Sequence, residues 1–394
     1  MQNKTFHPTR WTLVFLLLSS MMILMGGVAV APALPAISAA FPDASEAAIS
    51  LIITLPALAI VFSGFFIGAA VDKFGKVRIL AISLAVFTFA GVSGFFLSSL
   101  PAILVGRIIL GIGISGIVNT TTTLITDYYQ GPSRVKVLGY QAAAMGIGVV
   151  ILDTSGGILA GISWRLAFLI YLLGLFILIE TLVTMKEPVR EKVSMTRDAP
   201  ENKTPVGSIV LIYITLFLGM MLFFLMPTKF PYLIAEYIEN SSALSGILLG
   251  ILGIFSAIVG TLYWRIAGRI HRMVNISLSF ILLGAGYVLF GLSESMMIIV
   301  ISVIIIGIGN GLLMPTILSW LGVITPREIM GKVMGGYGVS LNLGQFLASI
   351  AAIPVIMISA GYGEMFLIFG VIAILLGVFY ILGYLKVRNT SHTN

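Results

Sequence analysis

The sequence predicts an all-α membrane protein with twelve transmembrane helices in two six-helix halves. Three observations predict it. Of 394 residues, 59% are hydrophobic and only 9% are charged, with a mean hydropathy of +1.11. A soluble domain carries about 25% charged residues, so this chain could not clothe a water-facing surface. Twelve windows are apolar over the roughly 20 residues a spanning helix needs. The basic residues also alternate between the connections in step with those windows.

The windows are 11–40, 47–70, 78–98, 100–125, 134–159, 165–185, 207–237, 243–264, 274–293, 296–322, 331–359 and 363–386. The first begins behind a basic start and contains Ala29-Val30-Ala31, which is also how a cleaved leader ends. Its apolar run is too long for a leader, and orientation requires it as the first span. The stretch 186–206 is polar, charged and Pro-containing. It divides the chain into a first half, 1–185, and a second, 207–394, and reads as a linker.

With the N-terminus in the cytoplasm, 19 of the 22 Lys and Arg residues fall on cytoplasmic connections. Only Arg107, Arg165 and Lys229 fall elsewhere. Asp43, Glu46, Glu236, Glu239, Glu294 and Glu364 fall on the outer side. One miscounted helix would invert this bias halfway along the chain. The expected location is therefore the inner, cytoplasmic membrane of the cell, with both termini inside. The net charge of +7 is then a property of loops beside an anionic leaflet, and no nucleic-acid partner is expected.

Shifting the chain by 196 residues against itself exposes a repeat. Pro35 falls on Pro231, Gly64 on Gly260, and Lys73 and Lys76 on Arg269 and Arg272. Gly111-Ile112-Gly113 falls on Gly307-Ile308-Gly309, and Thr120 on Thr316. Two like-oriented halves imply a pseudo-twofold axis along the membrane normal, with a substrate cavity between the halves. Gly64/Gly68 and Gly246/Gly250 have the spacing of close helix packing.

Several chemistries are excluded. The chain has no Cys, and its three His residues (His7, His271, His392) lie outside the apolar windows. Thiolate nucleophiles, disulfides and an intramembrane metal site are out. No phosphate-binding loop is present. Neither an enzyme nor a cofactor is expected, and no metal.

Residues 68–78 read Gly-Ala-Ala-Val-Asp-Lys-Phe-Gly-Lys-Val-Arg. This resembles the loop signature of the major facilitator superfamily, G-x-x-x-D-K/R-x-G-R/K-x-R, and the twelve spans, linker and repeat extend the resemblance over the whole chain. Physically, Gly68 permits close helix approach, Gly75 a tight turn, and Asp72 a cap or ion pair. The resemblance implies that the loop residues Gly68, Asp72, Lys73, Gly75, Lys76 and Arg78 latch one conformation, with Asp127 and Arg134 as candidate partners. The second copy, 264–274, has Gly268 in place of Asp72, so its latch should be weaker.

Among the charges inside the apolar windows, Arg107 and Asp153 lie at depth, while Glu180, near the inner end of the sixth, reads as snorkelling or pairing with the linker's basic residues. Arg107 stands in the fourth window and Asp153 in the fifth. A charge at the bilayer centre costs about 2.5–3.5 kcal/mol on insertion scales, so each needs a partner or a wet cavity. Family members carry an Arg at the Arg107 place that is implicated in proton coupling. The drug–proton antiporter branch carries a Gly-rich signature on the fifth helix ending G-P-x-x-G-G. Here Gly156 and Gly157 are kept, but Leu152-Asp153 replaces Gly-Pro. Counted from the helix ends, Arg107 and Asp153 lie at similar depth, about two turns in. They are expected to pair, and release of that pair would let Asp153 take up a proton.

Candidate cavity residues are Met22, Met25, Asn119, Tyr140, Gln141, Met220, Met221, Asn310, Tyr337, Asn342 and Gln345. Methionine adapts to varied ligand shapes, and amides supply hydrogen bonds. The expected function is proton-coupled efflux of lipophilic or cationic small molecules by a monomeric antiporter resembling the multidrug-efflux branch. A same-fold importer or carrier of organic anions bound at Arg107 is the alternative. A non-transporting receptor or assembly protein is the third reading.

Overall fold

The computed structural model describes residues 8–188, 206–267, 269–293, 295–326 and 329–392. Most of the linker, 189–205, lies outside the described residues, as does Gly268. Among the described residues the chain is helical, with one isolated β-bridge between Ala267 and Ile270.

The first half holds α1 (Arg10–Val28), α2 (Leu34–Ala40), α3 (Glu46–Phe74), α4 (Lys76–Phe96), α5 (Leu100–Tyr128), α6 (Gly131–Ile162) and α7 (Leu173–Thr184). The second holds α8 (Val206–Phe223), α9 (Leu225–Tyr237), α10 (Ser242–Leu262), α11 (Arg272–Gly291), α12 (Met296–Ile324), α13 (Met330–Ile358) and α14 (Tyr362–His392). Eleven helical segments among the described residues are long and apolar enough to cross a bilayer. The first span is a broken helix. α1 stops, a 3-10 turn covers Ala31–Ala33, and α2 restarts. Pro32 and Pro35 each open one of these short pieces, where a missing N–H breaks no helical bond. Span seven is broken in the same place, between α8 and α9 at Phe224. Span six begins as a 3-10 segment, Trp164–Leu172, before α7.

The 196-residue repeat is visible at atomic detail. A Cβ on Gly113 would lie 2.9 Å from Phe87 N and 3.0 Å from Ser83 O. A Cβ on Gly309 would lie 3.0 Å from Leu283 N and 2.9 Å from Ser279 O. Likewise Gly111 meets Pro56 O at 2.5 Å, and Gly307 meets Leu252 O at 2.6 Å. Each residue in the second set is its counterpart in the first plus 196. The repeated glycines let α5 pack on α3 and α4 as α12 packs on α10 and α11.

Of the four glycines with packing spacing, Gly246 and Gly250 bring α10 against α6. A Cβ on Gly246 would sit 2.9 Å from Gly157 Cα, and one on Gly250 would sit 2.6 Å from Thr154 Oγ1. Gly68 corrects its expectation: nothing lies within 4 Å of the place its Cβ would take. One turn earlier on α3, a Cβ on Gly64 would meet Ser115 Oγ of α5 at 3.7 Å, so only the direction of Gly68 is open.

Both halves end at the same face of the bundle, called here the termini end; the opposite face is the far end. The cross-half contacts run along α6–α10 and α3–α13, where Thr54 and Ser349 hydroxyls meet at 3.0 Å.

Candidate functional site

The loop between α3 and α4 turns at Gly75, whose φ of 97° is accessible to glycine at little cost. Asp127 at the end of α5 does meet this loop, and its partner is Lys76, in an ion pair. A carboxylate not anticipated from the sequence completes the turn. Glu187, just past α7, accepts the backbone N–H of Lys76 at 2.5 Å and of Val77 at 2.9 Å. It thus caps the otherwise unpaired N-terminus of α4. A Cβ on Gly75 would strike that carboxylate at 2.8 Å. The Lys73 ammonium lies 5.2 Å from the Phe74 ring, while Asp72, Arg78 and Arg134 are exposed. The ion pair stays within the first half, and Glu187 ties the start of the linker to it.

Arg107 does not pair with Asp153. Its guanidinium is 1% exposed and bonds the Tyr171 hydroxyl at 2.9 Å and Gly91 O at 3.1 Å. The rings of Phe168 and Tyr171 flank it, with centroids 4.7 and 5.0 Å away. Tyr171 in turn donates to Gly26 O at 3.2 Å. One side chain of α5 therefore braces α4, the 3-10 segment and α1. The physical reason lies in facing: Arg107 points into the helices of its own half. Two aromatic π-faces and two oxygens, rather than a carboxylate, hold the cation. The repeat confirms this as a local addition. Gly91 and Gly26 correspond to Tyr287 and Leu222, and Tyr287 donates to Leu222 O at 2.6 Å. Arg107 corresponds to Val303, which is buried. The second half makes the brace without a charge.

Asp153 is 2% exposed, and its Oδ1 has no hydrogen-bond partner. It sits on α6 at the junction of the halves: its own backbone oxygen is 2.5 Å from where a Cβ on Gly246 of α10 would be. A carboxylate without a counter-ion in a dry site is costly while charged.

A second intramembrane charge site was not singled out from the sequence. Lys229 on α9 is 1% exposed and forms an ion pair with Glu46 at the start of α3. It also donates to Ser50 at 3.2 Å. Glu46 accepts from the Tyr362 hydroxyl on its other oxygen. The rings of Tyr232 and Tyr362 stack at 5.5 Å, and Lys229 lies 5.7 Å from the Tyr232 centroid. The Tyr232 hydroxyl donates to Leu34 O at 3.5 Å. A Lys inside an apolar span was the available signal, by the same cost argument applied to Arg107.

The cavity candidates divide. Gln141 is buried and donates to Ser20 at 3.0 Å and Thr122 at 3.3 Å, linking α6, α1 and α5. Asn310 donates to Ser256 at 2.9 Å, and its Oδ1 is buried without a partner. Asn119 and Asn342 turn back on their own helices, to Ser115 O and Gly338 O. Tyr140 is exposed, and Met221, Tyr337 and Gln345 are half-buried. Met22 and Met220 are packed in the core, at 2% and 4% exposure, and present no open surface here. The Met25 side chain lies outside the described residues. Among the described residues no cluster of His, Cys, Asp or Glu has the grouping of a metal site.

Comparison with known proteins agrees with this architecture. Residues 16–349 match the model of the Major Facilitator Superfamily. The chain is 24% identical over 320 residues to multidrug resistance protein 1 of Bacillus subtilis (strain 168), covering 72% of this chain and 79% of that one. It is 28% identical over 147 residues to a triacylglyceride transporter of Mycolicibacterium smegmatis (strain ATCC 700084 / mc(2)155). That match covers 37% of this chain and spans only 25% of the relative's length. The fold superposes on a bacterial homolog of the human lysosomal transporter Spinster, in an inward-facing and occupied conformation. The TM-score is 0.76 at 16% identity, over 94% of this chain and 96% of that one. With a family match over most of its length and a doubled bundle whose halves repeat the same glycine contacts at an offset of 196 residues, the chain belongs to the major facilitator superfamily of membrane transporters.

Proposed function

We propose that this transporter is a proton-coupled antiporter that exports lipophilic or cationic small molecules by alternating access. The observation that carries the proposal is Asp153: a buried carboxylate, unpartnered at Oδ1, on the helix that meets the other half. Parting of α6 from α10 would bring water to that carboxylate, and closure would remove it. A group cycled between wet and dry settings exchanges a proton with each turn. A cationic substrate competes for the same carboxylate, which couples the two fluxes in opposite directions. The efflux direction is supported by 34% identity over 160 residues to the multidrug efflux protein YfmO of Bacillus subtilis (strain 168), and the lipophilic class by similarity to the triacylglyceride transporter. The membrane is the cell's inner membrane, with the termini end cytoplasmic, as the basic residues argue. The protein works as a monomer, since each chain contains both halves.

Arg107 plays a different part from the one its sequence position suggested. Enclosed by Tyr171, Phe168 and Gly91, it is a brace within the first half. The reading as an organic-anion carrier needs this guanidinium at a binding surface, which its 1% exposure opposes.

The test is proton flux in proteoliposomes loaded with a pH dye, with ethidium added, comparing wild type and Asp153→Asn. Substrate-triggered flux that vanishes in the variant is the expected result. Flux that persists in Asp153→Asn would remove the proton from this carboxylate.

A further inference from the structure

We infer that Glu46 and Lys229 form an asymmetric charge latch that holds the far end of the transporter shut, and that neutralising Glu46, not Lys229, releases it. The inference rests on the alternating-access reading.

Among the described residues, side-chain hydrogen bonds that join one half to the other include Lys229 to Glu46, Lys229 to Ser50, Tyr362 to Glu46, Tyr232 to Leu34 O, and Thr54 to Ser349. These lie toward the far end, and the first three converge on two turns of α3. The far end can part only if they break.

The two ions of the pair are not equivalent. The Lys229 side chain is 1% exposed, enclosed by Ser50 and Tyr232, while the Glu46 side chain is 26% exposed. Glu46 also keeps a second partner, Tyr362, from the same half as Lys229. The other ionisable side chains facing this cluster are Tyr232 and Glu236, both on α9. Removing the charge of Glu46 strands an ammonium in a dry interface, and the closed state bears that full penalty. Parting of the halves hydrates Lys229 and relieves it. Removing the charge of Lys229 leaves a carboxylate that water and Tyr362 already reach, so the closed state is kept. Removing both charges leaves no stranded ion, and closure is restored.

The chain has no Cys, so an introduced thiol is a clean reporter. Thr54→Cys places one at the cross-half contact with Ser349, fully buried while the far end is shut. Its labelling by a membrane-impermeant maleimide would be timed in sealed, oriented vesicles without substrate or proton gradient. Against the Thr54→Cys background, Glu46→Gln is expected to speed labelling by about tenfold or more. Lys229→Met and the double variant Glu46→Gln/Lys229→Met are expected to label near the parental rate. The double variant also covers misfolding, since recovery of the slow rate requires an intact closed state. Unchanged labelling in Glu46→Gln, or equal acceleration in all three variants, would overturn the latch. Because no substrate is present, this outcome is independent of the proton-flux result, which tests the antiport reading alone.

Discussion

The Arg107 guanidinium and the Tyr171 hydroxyl are joined at 2.9 Å inside the first half, 64 residues apart in sequence. Tyr171 hands the connection on to Gly26 O, so a single phenol links α5 to α1. Tyr171→Phe keeps the ring beside Arg107 but removes both hydrogen bonds. It leaves one buried donor and one buried carbonyl short of a partner, at about 1–3 kcal/mol for such a group. The expected outcome is a lower thermal midpoint in detergent, read by near-UV circular dichroism, with proton flux retained. A loss of flux at unchanged stability would make the pair part of the transport machinery instead.

The repeated glycines offer a test of the internal symmetry. Gly113→Ala and Gly309→Ala each drive a methyl to within 3.0 Å or less of neighbouring backbone. Overpacking of this kind costs about 1–3 kcal/mol. The two variants should lose stability by similar amounts, because their surroundings are the same contacts moved by 196 residues. Gly68→Ala should do the reverse. Its Cβ meets nothing, and alanine is favoured over glycine in a helix by about 1 kcal/mol. Thermal midpoints of the three variants check this, and a destabilised Gly68→Ala would point to a contact formed in another conformation.

The Thr54 and Ser349 hydroxyls bridge the halves at 3.0 Å. Sulfurs in their places are within reach of a disulfide after small adjustments of the side chains. Thr54→Cys/Ser349→Cys is expected to lose both free thiols on mild oxidation and to stop ethidium-driven proton flux, with recovery on reduction. Flux that continues in the cross-linked protein would mean that the far end need not open during transport.

The number of spans, the repeat and the loop from Gly68 to Arg78 were all legible in the sequence. Length of apolar run, placement of Lys and Arg, and a fixed offset are one-dimensional signals. The ion pair of Lys76 with Asp127 could be anticipated because both residues stand at helix ends on the same face of the bundle. Glu187 as the cap of α4 could not, since it opens a polar linker with many acids and bases.

Arg107 and Asp153 were identifiable as intramembrane charges, but their partners were not. Depth along a helix can be counted from its ends, whereas the direction a side chain faces is set by packing. In lipid every face of a helix is apolar, so hydrophobic periodicity no longer marks the inward side. Sequence therefore determined that Arg107 and Asp153 are buried and at what level, but not that Lys229 is. Only the tertiary structure decided that Arg107 turns to Tyr171, that Asp153 lies at the seam with α10, and that Lys229 meets Glu46 183 residues away.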